Sequence, residues 1–208
     1  MRPTYQRQHD LDNELSVMDN FADVMDTEVY FWHAHNKPYA PPENRFGFKK
    51  SPNFSCYDYM LTCDNVGSDF GSGPAVAVVE VKCRNYNHDD FDSYKISKRK
   101  IDNLINASFK HEIVSVLIVK WNDLSTAMMV YNPSISVYTN VPFHFPKNYF
   151  DYPITNEGYE IFENWYSDMN SYIQSGQITK TTWGRVDRKD PMDVETAYEI
   201  PMLLFRSV

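Results

Sequence analysis

Between residues 11 and 26 the apolar side chains Leu11, Leu15, Met18, Phe21, Ala22 and Met25 recur every three or four positions with acids between them, which predicts an amphipathic helix. The period then changes. EVYFWHA is β-branched and aromatic and predicts a strand near 28–34. KPYAPPENRFGFKKSPN reads as a Pro-rich loop, and SCYDYMLT as a second strand near 55–62. The glycines of DNVGSDFGSGP close a hairpin into a third strand, AVAVVEVKCR. KISKRKIDNLINAS follows as a helix: Ser97 is a good N-cap, and Ile96 can pack on Ile101 as a hydrophobic staple. EIVSVLIVKW and TAMMVYNP complete the order helix, three strands, helix, two strands. Tyr159, Phe162, Trp165, Tyr166, Met169 and Ile173 predict a further helix within 156–174. ETAYEIPMLLF reads as a final strand, which Pro201 makes an edge strand or a broken one.

The stretch YNPSISVYTNVPFHFPKNYFDYP has little regular period and much of the chain's 15% aromatic content. It divides the chain into a core, residues 1–131, and an aromatic-rich C-terminal extension, 132–208, packed on the same domain. With 208 residues, 42% hydrophobic and 23% charged, the composition is that of a soluble globular protein. The apolar runs AVAVV and VSVLIV are too short to cross a bilayer, and MRPTYQRQHD has no signal-peptide core, so a cytoplasmic protein without a membrane partner is expected. Cys56, Cys63 and Cys83 form no CxxC pair and read as reduced thiols in core positions. A net charge of −8 argues against a protein that coats nucleic acid non-specifically, while leaving room for local basic patches.

Chemistry enters where the third strand stops being apolar. Glu80 and Lys82 are two residues apart, so they share one face of the strand. An exposed pair that keeps a strand end soluble is the bland reading, and the spacing is weak in itself: about one or two such acid-x-lysine triplets are expected by chance. A second one, Asp187-Arg188-Lys189, lies in the polar stretch GRVDRKDP. Context separates the first. Asp58 sits among apolar and aromatic residues in CYDYML, where an acid is costly to bury unbalanced, and the hairpin can bring it opposite the Glu80/Lys82 face. Two carboxylates at one place repel unless a divalent cation lies between them, and hard oxygen donors suit Mg²⁺ or Mn²⁺. Such an ion neutralises a phosphodiester and activates water, while the lysine orients that water or stabilises charge developing at phosphorus. Lys98, Arg99 and Lys100 occupy the first turn of the following helix, where each cation is disfavoured by roughly 0.3–1 kcal/mol unless an anion binds there. A phosphate backbone is one such anion, and lysines turned into solvent are the plain alternative.

The element order, Asp58, Glu80-Val81-Lys82 and YKISKRKIDNL together resemble the PD-(D/E)XK nuclease superfamily. This restriction-endonuclease-like group includes many phage and prophage proteins. The resemblance covers roughly residues 11–131 and implies an α/β fold with an αβββαβ core, a central mixed sheet flanked by helices. It implies metal-dependent hydrolysis of DNA phosphodiester bonds by a metal-activated water, leaving a 5′-phosphate. Asp58 and Glu80 would be metal ligands and Lys82 the catalytic lysine. Glu14, on the first helix, would be the additional metal-binding acid, with Glu28 its competitor. Lys98 or Lys100 would be the basic residue on the later helix, and Lys98, Arg99, Lys100 and Arg84 would contact DNA. Tyr57 stands where the motif's proline would be, a departure that many members share.

Weaker candidates remain. His33 and His35 alternate on a predicted strand without a partner pair, and Asp64 and Asp69 are better explained by turn chemistry than by calcium. The leading expectation is a Mg²⁺-dependent deoxyribonuclease, an endonuclease acting in the cytoplasm, or in the host cytoplasm if phage-encoded. A homodimer would give it two active sites for two strands. The alternatives are a non-catalytic module on the same fold that binds DNA or protein, and a structural protein of a phage particle.

Overall fold

The computed structural model describes residues 8–36, 44–51, 56–65, 67–111, 113–131, 169–184 and 194–208. Helix α1 (Gln8–Asn36) buries Val17, Met18, Phe21, Ala22 and Met25 along one stripe. That is the predicted face with two differences: Leu11 is half-buried, and Leu15 is exposed while Val17 joins the core. The strand expected at 28–34 is instead the second half of α1. Extending an existing helix needs no new nucleus, so it overrides the weak strand preference of EVYFWHA. The helix ends at Asn36, two residues before Pro38, which disfavours helical geometry in the residue preceding it.

The first strand lies where a loop was expected. In β1 (Asn44–Lys50) Phe46 and Phe48 alternate with Arg45, Gly47 and Lys49, and both phenylalanines join the core under α1. β2 (Tyr59–Asn65) begins later than predicted and pairs antiparallel with β1 and with β3 (Ala75–Cys83). The hairpin expected from the glycines between β2 and β3 is present. It is pinned by Asp64, whose carboxylate accepts hydrogen bonds from Gly71 N at 2.6 Å and Gly73 N at 2.7 Å. Turn chemistry accounts for Asp64 as expected. Gly47 faces the same carboxylate, and a Cβ there would collide with Asp64 Oδ2 and lie 2.8 Å from Gly71 N.

After β3 the chain makes a short strand, β4 (Ser93–Ser97), which the sequence pattern had hidden inside a helix start. Helix α2 (Lys98–His111) follows. Ser97 directly precedes α2, and Ile96 and Ile101 share one buried cluster, as the staple predicts. β5 (Val114–Lys120) runs parallel to β3, and β6 (Ser125–Tyr131) antiparallel to β5. The part of the predicted 156–174 helix that is described is α3 (Met169–Gln174), with Met169 fully buried; the predicted aromatic stretch 132–154 lies outside the described residues. β7 (Thr179–Gly184), β8 (Val194–Pro201) and β9 (Arg206–Ser207) complete the strands among the described residues.

The result is a mixed α/β architecture. A six-stranded mixed sheet has the order β1-β2-β3-β5-β6-β9, and a three-stranded sheet the order β4-β8-β7. β8 is therefore a central strand and not an edge. Pro201 closes it as its last residue, and a 3-10 turn follows at Met202–Leu204. Residues on β3 alternate between two cores: Ala77, Val79 and Val81 pack beneath α1, while Val78 joins the cluster beneath α2. Among the described residues no helix is long and apolar enough to cross a membrane. All three cysteines are free, but only Cys63 is buried; Cys56 is exposed and Cys83 half-buried.

Candidate active site

Alternation along β3 sends Glu80 and Lys82 to the same face as Val78, toward α2. Glu80 is fully buried there, with 0% of its side chain exposed. Isolated carboxylates do not survive such burial without compensation, and here it comes from two lysines. Lys82 Nζ lies 2.5 Å from Glu80 Oε1, and Lys100 Nζ, reaching in from the first turn of α2, lies 2.8 Å from the same oxygen. Both ammonium groups lie within hydrogen-bond distance of Oε1, while Oε2 has no hydrogen-bond partner among the described residues.

Asp58 lies in the bend immediately before β2, one residue short of the strand in which it was expected. Its backbone N–H donates to Val79 O at 3.0 Å, and its Oδ2 accepts from Val81 N at 3.0 Å, so the side chain continues the β2–β3 ladder where the backbone leaves it. That brings Asp58 Oδ2 to 3.5 Å from Lys82 Nζ, which also donates to Val81 O at 2.9 Å. Burial pulls the Lys82 ammonium toward neutrality, but Glu80 and Asp58 together outweigh it and raise its pKa. Lys82 is thus a fixed cation bridging two carboxylates.

Glu14 approaches from the α1 side. Tyr59 Oη donates to Glu14 Oε2 at 3.4 Å, and Lys50 Nζ lies 3.8 Å from that oxygen and 5.5 Å from the centre of the Tyr59 ring. Burial and the charge of Asp58 raise the Glu14 pKa against the opposing pull of Lys50 and Lys82, while burial and Glu14 keep the Tyr59 hydroxyl protonated. Lys50 and Tyr59 were not legible as site neighbours, because their pairing follows from the unrecognised strand β1, which sets Lys50 opposite Tyr59. Glu28 and the histidines 33 and 35 lie on α1 and not on a strand, and their side chains are outside those described. The second acid-x-lysine triplet, Asp187-Arg188-Lys189, is also outside the described residues.

The predicted basic residues separate. Lys100 goes to Glu80. Lys98 pairs along its own helix with Asp102 at 2.5 Å, and Arg99 is exposed. Arg84 donates to Tyr94 Oη at 2.5 Å and to Cys83 O at 2.9 Å. α2 has no acid in its first turn. Among the described residues one group of three metal-ligating side chains lies within 4.8 Å, and it is His88, Asp89 and Asp123, not Asp58, Glu80 and Glu14. His88 Nδ1 sits 2.8 Å from Asp123 Oδ2, and this hydrogen bond holds the Asp123 carboxyl below its usual range. The contact joins residues 35 apart in the chain, so no spacing signal announces it.

Residues 44–139 match the family described as "phage putative PDDEXK endonuclease". The matched stretch contains Asp58, Glu80, Lys82 and Lys100 but not Glu14, and it shows the resemblance to PD-(D/E)XK nucleases as one of phage type. No curated protein and no solved structure matches the chain significantly.

Proposed function

We propose that the protein is a metal-dependent deoxyribonuclease that hydrolyses DNA phosphodiester bonds as an endonuclease, with Asp58, Glu80 and Lys82 at its centre. The observation that carries this is Glu80. It is a fully buried carboxylate held on one oxygen by two ammonium groups, with no hydrogen-bond partner for Oε2 among the described residues, and linked through Lys82 to a second carboxylate. A structural acid in such a place would be satisfied by fixed donors, and unfilled acceptors of this kind suit a hard cation. Asp58 and Glu80 supply hard oxygen donors that suit Mg²⁺ or Mn²⁺; Glu14, on the α1 side, does not form with them a group within 4.8 Å and would have to move in to join them. When bound, the ion supplies charge neutralisation for the phosphodiester and a lowered pKa for water.

The remaining chemistry belongs to the chain. Glu80 and Asp58 raise the pKa of Lys82, which favours its ammonium form as a partner for the attacking water. Its role is to orient that water and stabilise negative charge developing at phosphorus. Asp58, anchored on Val81 N, fixes the position of Lys82 relative to β3. Lys98, Arg99, Lys100 and Arg84 lie on or beside the start of α2 and β3's end and serve the DNA backbone. Residues 1–131 form the nuclease core αβββαβ, to which the extension 132–208 is added. Pairing of β8 with β4 and of β9 with β6 supports that reading. Action in the host cytoplasm as a homodimer belongs to the same proposal.

The test is cleavage of supercoiled plasmid and of labelled linear and branched DNA with Mg²⁺, Mn²⁺ or EDTA, comparing wild type with Lys82→Ala. Metal-dependent cutting lost in the variant supports the nuclease. Folded wild-type protein that cuts none of these substrates transfers the fold to a binding module, and substantial cutting by Lys82→Ala removes Lys82 from the mechanism.

A further inference from the structure

Two ammonium groups compete for one oxygen of Glu80, and they are not equivalent. Lys82 is anchored: it also donates to Val81 O and pairs with Asp58, and its side chain is 24% exposed. Lys100 is 43% exposed, and its ion pair among the described residues is with Glu80. It enters from the solvent side on a flexible stem, and it stands in the first turn of α2, where the helix dipole disfavours a cation. Lys82 is held by Glu80, Asp58 and Val81 O together, whereas the ion pair of Lys100 among the described residues is with Glu80, so the weaker hold is on Lys100. A second cation approaching Glu80 meets Lys100 in its place.

We infer that Lys100 occupies the cation position on Glu80 in the DNA-free protein, and that a divalent ion binds there by displacing it toward a DNA phosphate. This rests on the nuclease reading of the same site. Lys100 is thereby a positioning residue that couples two ligands: metal releases its ammonium, and the phosphate backbone gives that ammonium a new partner. By linkage, each ligand strengthens the binding of the other. Without DNA, the protein holds metal weakly and keeps Glu80 neutralised by its own chain.

The test is Mn²⁺ binding followed by electron paramagnetic resonance on full-length wild type, Lys100→Met, Lys100→Arg and Asp58→Asn, with circular dichroism and thermal unfolding as fold controls. A short phosphorothioate duplex, resistant to cutting, serves as the DNA probe. Lys100→Met is expected to bind Mn²⁺ about tenfold more tightly than wild type in the absence of DNA, within the usual range of such couplings. Lys100→Arg keeps the charge and restores wild-type behaviour. The duplex tightens Mn²⁺ binding in wild type and does not in Lys100→Met. Should Lys100→Met fail to fold, Lys100→Gln takes its place with the same expectation. Wild type that binds Mn²⁺ through Asp58, with unchanged or weaker binding in Lys100→Met, overturns the competition and leaves the nuclease reading standing. Folded wild type and Lys100→Met that both bind no Mn²⁺, with or without the duplex, overturn both.

Discussion

Asp64 and Glu80 are two fully buried carboxylates on neighbouring strands of one sheet, and they are balanced in opposite ways. Asp64 receives two backbone N–H groups at 2.6 and 2.7 Å, donors that the hairpin holds fixed. Glu80 receives two lysine ammonium groups on one oxygen and, among the described residues, no backbone N–H. Fixed amides make an acid part of the framework. A displaceable ammonium such as that of Lys100 leaves an acid able to exchange partners, and that difference separates a structural carboxylate from a candidate catalytic one.

The comparison can be broken from either side. The largest effect expected is on cleavage: Lys82→Ala or Glu80→Gln lowers DNA cutting about 10²–10³-fold, as loss of a charge-stabilising group does, with the circular dichroism spectrum retained. Asp64→Ala acts on the fold, removing the acceptor of two buried amides and lowering stability by about 2–4 kcal/mol in urea unfolding, while cleavage per folded molecule is unchanged. Gly47→Ala strikes the same anchor from the opposite strand through its clash with Asp64 Oδ2. It is expected to lose about 1–3 kcal/mol by the same measurement. Glu80→Gln removes one partner of a buried ion pair and leaves Lys82 and Lys100 facing a neutral amide, so it too is expected to lose stability, by up to about 3–5 kcal/mol in the same measurement. What separates the two acids is cleavage per folded molecule: an Asp64→Ala protein that loses it erases the distinction.

The smallest effect concerns Glu14. Its folded pKa lies above 4.5, because burial and then Asp58 disfavour the charged form. The folded state therefore binds this proton more tightly than the unfolded chain, and the stabilisation present in acid is lost as pH rises through the folded value. At pH 7 Glu14→Gln is expected to melt at the same temperature as wild type or slightly above it. The gap should close as pH falls toward 4.5, and a gap that widens in acid removes the assignment.

Much of this contrast was legible in the residues. The break from AVAVV to Glu80 and Lys82 marked the candidate site, because charge at a strand end that alternation turns inward needs partners. The glycines of the hairpin and the turn role of Asp64 were legible for the same local reason. β1 was not, although Arg45–Lys49 alternates cleanly: the prolines at 38, 41 and 42 argued for loop, and sequence spacing carries no information on which strand will cover Tyr59. Residues 28–34 show the converse error, since intrinsic strand preference yields to a helix already under way. The reach of Lys100 to Glu80 was also hidden. Its presence in a cationic first turn was plain, but the oxygen it meets depends on how α2 packs on β3.

The position of that first turn depends on a distant part of the chain. β4, which runs directly into Lys98, pairs along its whole length with β8, and Ser97 Oγ donates to Glu195 at 3.0 Å across 98 residues of sequence. At the ordinary pace of synthesis those residues take about 5–20 s to emerge. A nascent chain thus carries Asp58, Glu80 and Lys82 well before the strand that steadies the lysine opposite them.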